Sequence, residues 1–373
     1  MKRMRFTILM TLNLLAGCCD VPAFAGAQEA GTPSIDERFK RADRNGDGVL
    51  TPDEVPNAEL FKRMDRNGDR KVTLEEARAA FSTTGAAAQR KGTPSGSAPP
   101  TAQMQSTLNV SYAQPQGSGP NLTSLDVHAS QGTTGCPVMV FVHGGAWRAG
   151  DKAGAAGAKA AFFTSAGWVF VSINYRLLPA APVATQAQDV ANAVAWVAGN
   201  ITEYGGDPRE IYLMGHSAGA HLVSLVATDD RRLKETGGNL SLIKGVVELD
   251  TAALDIPKLM KTGRAFYEPM FGADPKGWAD ISPMNHVAKG KAIPPFLLVV
   301  ADKNQMKLEQ AQSFARALRE AGARAEILEA PDKTHGTLNG DLGKLGDAPT
   351  KAIMDFLNSI QPAQKPAATA VGT

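Results

Sequence analysis

Three cysteines in 373 residues are too few for a disulfide framework, and their placement excludes an internal bridge in the body of the chain. Cys18 and Cys19 lie in the leading segment, and Cys136 stands alone further on, opening an apolar run. A small buried hydrophobe is the expected role of Cys136. Neither sign of charge is in excess. The formal net charge is +2 and no basic stripe follows the first residues, which argues against nucleic acid as a partner. Histidine is scarce as well: the six are His128, His143, His216, His221, His286 and His335. Any chemistry that needs imidazole must draw on these.

The N-terminal apolar run, Phe6 to Ala16, is too short to span a bilayer and follows Lys2, Arg3 and Arg5, so residues 1–25 read as an export signal. Its end stays open. Leu15-Ala16-Gly17-Cys18 resembles a lipobox, which would leave a lipid anchor on Cys18. Ala23-Phe24-Ala25 is a small-x-small cleavage site that would release a soluble product. Both readings place the protein outside the cytoplasm, in the periplasm, on a membrane or secreted.

What is present is a large apolar fraction, 43%, in a chain long enough for more than one domain. An internal repeat occupies residues 34–82, where Phe39-Lys40-Arg41 recurs as Phe61-Lys62-Arg63. Each copy leads into an acidic loop whose oxygen side chains fall at positions 1, 3, 5, 9 and 12, the spacing that wraps one hard cation in an EF-hand. In the first loop these are Asp43, Asn45, Asp47, Thr51 and Glu54, with the carbonyl of Val49 at position 7. In the second they are Asp65, Asn67, Asp69, Thr73 and Glu76, with the carbonyl of Lys71. Calcium is the cation expected. Leu50 and Val72, both at position 8, are expected to pair across the loops. Gly48 suits the left-handed turn at position 6 of the first loop, whereas Arg70 stands there in the second and costs about 1 kcal/mol if the turn is kept. The second site should therefore be weaker. Residues 83–106, rich in Ala, Gly, Ser, Thr and Pro, read as a disordered linker, and 362–373 as a disordered tail.

From 107 to 361, strand-like and helix-like segments alternate, which predicts an α/β fold: a mainly parallel sheet flanked by helices, preceded by the small all-α calcium module. Val138 to Val142 is apolar throughout, as a strand buried on both faces should be. Further strands are expected at Leu108–Tyr112, Leu122–His128, Trp168–Ile173, Ile211–Met214, Val246–Leu249, Phe296–Ala301 and Ala325–Glu329. Helices are expected at Val183–Asn200, Gln305–Ala321 and Pro349–Ile360. The segment Thr251 to Ala292 is too long for a simple connection and is expected to cover a site. Within it Phe266, Tyr267, Phe271 and Trp278 would either line a pocket or pack the cover itself, and Trp147 is a pocket-wall candidate.

Behind Ile211–Met214 stands Gly215-His216-Ser217-Ala218-Gly219, and behind that a helix-compatible run. Strand, Gly-x-Ser-x-Gly, helix is the context of a nucleophile elbow, with Ser217 exposed at a strained turn. Serine attack on an acyl carbon creates an oxyanion that needs fixed donors. Those expected are the backbone N–H of Ala218 and those of Gly144 and Gly145 in the loop His143-Gly144-Gly145-Ala146-Trp147. The base should follow the last strand, and among the histidines only His335 does so ahead of the closing helix. His143 is read as a structural member of its loop, and His216 and His221 as packing or supporting residues. Asp302, the first carboxylate past Phe296–Ala301, is the expected triad acid, although in enzymes that this stretch resembles the acid often comes two residues later, where Asn304 stands; Asp250 and Asp332 remain alternatives.

Residues 107–361 resemble the α/β-hydrolase superfamily, and within it the exported esterases and lipases that include feruloyl and acetylxylan esterase-like and hormone-sensitive-lipase-like enzymes. The resemblance is carried by His143-Gly144-Gly145-Ala146-Trp147, Asn174-Tyr175-Arg176, Tyr204-Gly205-Gly206-Asp207-Pro208, Gly215-His216-Ser217-Ala218-Gly219, Asp280-Ile281-Ser282-Pro283 and Thr334-His335-Gly336. It implies hydrolysis of a small-molecule or glycan-linked carboxylic ester through an acyl-enzyme, with no cofactor in catalysis. Two other readings stay open: an arylformamidase, since kynurenine formamidases look similar at the elbow, and a calcium-binding surface protein without catalysis.

Overall fold

The computed structural model describes residues 39–40, 42–43, 47–51, 54–55, 61, 64–65, 69–81, 103–114, 119 and 121–361. The export signal with Cys18, Asn45, Asn67, most of the linker and the tail lie outside the described residues. The described residues divide into two compact units on either side of Ser97.

In the first unit the two acidic loops meet as a short antiparallel ladder, β1 (Val49–Leu50) against β2 (Val72–Thr73), with Leu50 opposite Val72. That is the position-8 pairing expected from the sequence. Both side chains are buried with Phe39, Phe61 and Met64. Helix α1 (Leu74–Phe81) follows, with Glu75 and Glu76 in its first turn, where the helix dipole favours negative charge. Each loop closes by the same hydrogen bonds. Gly48 and Arg70 donate to Asp43 and Asp65 at 3.0 Å, and the N–H groups of Thr51 and Thr73 donate to Glu54 and Glu76 at 3.0 Å. Gly48 has φ +82° and Arg70 +65°, so the second loop keeps the left-handed turn at a residue with a Cβ.

The second unit is built on an eight-stranded sheet. In chain order its strands are β3 (Met104–Ser111), β4 (Ser124–Ser130), β5 (Cys136–Val142), β6 (Val169–Ile173), β7 (Gly206–His216), β8 (Ile243–Leu249), β9 (Phe296–Ala301) and β10 (Ala325–Ala330). Their spatial order is β10-β9-β8-β7-β5-β6-β4-β3. Only β3 and β4 run antiparallel to their neighbours; β6, β5, β7, β8, β9 and β10 form the parallel part. Val138 to Val142 are fully buried, and their alternation divides the core between two faces. Val138, Val140 and Val142 join one cluster with Leu213, while Met139 and Phe141 join another with Tyr212 and Met214. Helices α2 (Lys152–Ser165) and α11 (Ala348–Ile360) supply Phe163, Ile353 and Phe356 to the second cluster. Helices α3 (Val183–Asn200), α4 (Ala218–Val226) and α9 (Gln305–Glu320) supply Val190, Val194, Leu222 and Phe314 to the first.

The remaining helices are α5 (Asp230–Lys234), α6 (Ile256–Phe271), α7 (Pro275–Asp280), α8 (Pro283–His286) and α10 (His335–Gly340). The segment expected to cover the site is thus three helices, α6 to α8. Helix α2, absent from the sequence reading, starts where Asp151 accepts the N–H of Ala153 at 2.8 Å and buries Ala156, Ala160 and Phe163 on one stripe. Cys136 does open β5, but it is half-buried rather than a core residue, because the pairing with β7 is irregular at that end.

Candidate active site

The elbow follows from β7 running straight into α4. Ser217 is the residue before α4, and its φ of +57° with ψ of −117° is a conformation that an L-residue holds only under constraint. The constraint is contact on all sides. A Cβ on Gly215 would lie 2.3 Å from the carbonyl of Gly219, and one on Gly219 would lie 2.1 Å from the carbonyl of Val142. The Ser217 N–H donates to the carbonyl of Leu249 at 2.9 Å, tying the elbow to the end of β8.

The loop after β5 is left-handed over three successive residues, Gly145 (φ +127°), Ala146 (+52°) and Trp147 (+60°). Its Gly145 carbonyl accepts the N–H groups of Arg148 and Ala149, both at 3.0 Å. Gly144 lies against the elbow: a Cβ there would meet the His216 carbonyl at 2.9 Å and Ser217 Cβ at 3.0 Å. Tyr175 braces the loop from below, donating to the His143 carbonyl at 2.9 Å while stacking on the His143 ring at 4.5 Å. His143 is buried, which lowers its pKa, and its Nδ1 bonds the Gly144 carbonyl at 2.8 Å. The adjoining Arg176 is locked to the buried Asp189 by two hydrogen bonds of 2.6 and 2.8 Å. These contacts explain why Asn174-Tyr175-Arg176 accompanies the His-Gly-Gly loop.

His335 opens α10, where Thr334 caps the helix by accepting the N–H of Thr337 at 3.1 Å. Its imidazole Nδ1 lies 2.5 Å from Asp250 Oδ2, and its side chain is 41% exposed while that of Asp250 is wholly buried. An ionised carboxylate only accepts, so Nδ1 carries the hydrogen and Nε2 keeps a free lone pair. The acid expected from the sequence is therefore corrected: Asp250, past β8, holds the imidazole, and Asp302 does not. Asp302 has turned to φ +63°, and its Oδ2 accepts the backbone N–H of His335 at 2.8 Å. Asn304 caps α9, accepting the N–H of Lys307 at 3.1 Å, and Asp332 is exposed.

Asp250 Oδ1 accepts the N–H of Ala301 at 2.8 Å, and Oδ2 is shared between His335 and the ammonium of Lys307. Burial alone would raise the carboxyl's pKa, but the hydrogen bonds from His335, Lys307 and Ala301 outweigh it and bring it down to about 2. Two residues earlier, the fully buried Glu248 accepts the Thr251 N–H at 2.6 Å, and its pKa is pushed well up by burial. His216 is buried beside the base, 4.4 Å between ring centroids, and its Nε2–H donates to the His335 carbonyl at 2.9 Å. Burial, with the His335 ring close by, lowers its pKa to about 4. His221 is buried deeper in α4, accepting from Trp147 Nε1 at 3.2 Å and donating to the Ile281 carbonyl at 2.7 Å, and burial takes it to about 4. Both are neutral supports at neutral pH. Lys307 is the site residue that sequence reasoning missed. Its signal was a cation in the first turn of α9, where the helix dipole disfavours one.

A cavity of about 520 Å³ is shared by Ser217, His335, Asp250, Lys307 and the Gly145–Trp147 loop. Phe266 and Tyr267 of α6 form part of its wall, with Phe266 66% exposed at the surface. Phe271 instead packs edge-on to Trp147 at 4.8 Å, and Trp278 bonds the Gly272 carbonyl at 2.9 Å, so these two build the cover rather than the cavity. In the two acidic loops, the carboxylates at positions 1, 5 and 12 are described. Among the described residues no three His, Cys, Asp or Glu side chains gather closely enough to hold a metal ion.

Known proteins are similar to this chain over both units. The family model BD-FAE matches residues 125–318, more than half of the chain, and an EF-hand model matches residues 35–55. The chain is 31% identical to esterase LipC of Mycobacterium tuberculosis over 243 residues, 61% of this chain and 59% of the relative. It is 30% identical to the isoprenylcysteine alpha-carbonyl methylesterase ICME of Arabidopsis thaliana over 232 residues, 57% of this chain and 54% of the relative. The match thus spans little more than half the length of these curated relatives. Among solved structures, the truncated form of a carbohydrate esterase from gut microbiota superimposes with a TM-score of 0.56 at 25% identity, covering 71% of this chain and 99% of that one. With its mostly parallel sheet, elbow and His-Gly-Gly loop, the chain has the α/β-hydrolase fold and belongs to the BD-FAE family.

Proposed function

We propose that the protein is an exported hydrolase of small carboxylic esters that works through an acyl-enzyme on Ser217. The observation that carries this reading is the His335–Asp250 hydrogen bond at the cavity that Ser217 also lines. Ser217 Oγ attacks the ester carbonyl while His335 Nε2 takes its proton. Asp250 fixes the tautomer and stabilises the imidazolium. The N–H groups of Ala218, Gly144 and Gly145 receive the oxyanion. His335 then returns the proton to the leaving alcohol, and water repeats the sequence on the acyl-enzyme. The relatives named esterase, methylesterase and carbohydrate esterase support the class and leave the acyl and alcohol groups wide.

The two acidic loops serve calcium in this proposal. Their oxygen donors recur at the spacing that a hard cation needs, the first loop lies within the EF-hand match, and the turn at position 6 is kept in both. Export rests on the N-terminal segment alone.

The test is hydrolysis of p-nitrophenyl acetate and butyrate by the mature protein and by Ser217→Ala. Turnover in the wild type should fall by about 10⁴-fold or more in the variant. Wild-type protein inert on both esters, or equal turnover in the variant, would contradict the reading.

A further inference from the structure

Lys307 is not needed by a serine, histidine and aspartate, and its position is unfavourable on two counts. It stands in the first turn of α9, where a cation opposes the helix dipole and no acidic residue of that turn offsets it. Its ammonium also uses the oxygen of Asp250 that accepts the His335 Nδ1–H, and lies 3.3 Å from His335 Nδ1. When His335 accepts the serine proton, two cations face each other across one carboxylate oxygen. Among the described residues Asp250 is the one carboxylate that pairs with Lys307, while the nearby Glu248 is buried with its pKa pushed up and Asp302 Oδ2 accepts the His335 backbone N–H. Lys307 does line the cavity, and its ammonium stands at the end of a flexible four-carbon stem.

We infer that Lys307 is a specificity residue for esters whose alcohol portion carries a carboxylate, an inference that rests on the esterase reading above. His335 hands its Nε2 proton to the leaving alcohol, and Lys307, at the Nδ1 edge of the same ring, lines the same cavity, so a substituent on that alcohol reaches the ammonium. An anion there draws the ammonium off Asp250 Oδ2 and leaves that oxygen wholly to the imidazolium. Binding of the anion and stabilisation of the transition state are then one event. A neutral ester gains neither.

The experiment compares 4-acetoxybenzoate with its methyl ester as substrates of the wild type, Lys307→Met and Lys307→Arg. The ratio of kcat/KM, anionic over neutral, should drop about tenfold in Lys307→Met, the scale of one charge-assisted hydrogen bond, and recover in Lys307→Arg. A purely structural lysine would lower both substrates equally, so an unchanged ratio in Lys307→Met overturns the inference. If Lys307→Met does not fold, the wild type alone decides. The product 4-hydroxybenzoate should then inhibit more strongly than methyl 4-hydroxybenzoate, less so in high salt, and equal inhibition contradicts the claim. A wild type inert on both esters refutes the esterase reading instead. Calorimetric binding of 4-hydroxybenzoate by the wild type but not by Lys307→Met would still support the anion site, and binding by neither would end it.

Discussion

The elbow and the acid loop meet at the same cavity, yet they are held in place by different physics. Ser217 is positioned by backbone: a strained φ, glycines with carbonyls 2.1 to 2.3 Å from where a Cβ would stand, and an N–H tied to β8. Asp250 is positioned by charge and side-chain hydrogen bonds, with donors from His335, Lys307 and the Ala301 backbone. A backbone device admits almost no substitution, whereas a charge network can be weakened by degrees and read by a substrate. Specificity that depends on charge therefore belongs on the acid side.

Gly219→Ala should break the backbone side outright. The methyl would meet the Val142 carbonyl, displacing Ser217 and the Ala218 N–H together, and kcat/KM should fall on the order of 10³-fold with a lower melting temperature. Activity within a few-fold of wild type would show that the elbow has slack. The smallest effect expected is in the paired acidic loops, where Arg70 holds the left-handed φ that Gly48 holds in the first loop. Arg70→Gly should tighten the second site by about fivefold, the equivalent of 1 kcal/mol of relieved strain, in a calcium titration by calorimetry. Equal affinities of the two sites in the wild type would contradict the strain argument.

The same contrast decides what could be read from the chain. The sheet was legible because β5 to β9 are buried runs of Val, Ile, Leu and Phe, and the elbow because Gly-x-Ser-x-Gly is a local backbone requirement. Leu50 opposite Val72 was legible from the period of the repeat. The acid was not, because β8 and β9 are parallel neighbours and both end in an aspartate with positive φ, Asp250 and Asp302. Order along the chain does not say which carboxylate faces the imidazole and which the backbone N–H. Only the side-chain directions separate them. Helix α2 was missed because its two glycines mask a buried Ala-Ala-Phe stripe, and Lys307 because its partner lies 57 residues away across the fold.

The assignment of the acid is the central claim, and the paired variants Asp250→Asn and Asp302→Asn test it most directly. In the first, the amide no longer fixes the tautomer and leaves Lys307 without its carboxylate, so kcat should fall by about 10³–10⁴-fold. In the second, the amide oxygen can still accept the His335 N–H, and kcat should stay within about fivefold of wild type, the loss of charge on one hydrogen bond. The reverse order, with Asp302→Asn the more damaging, would contradict the account.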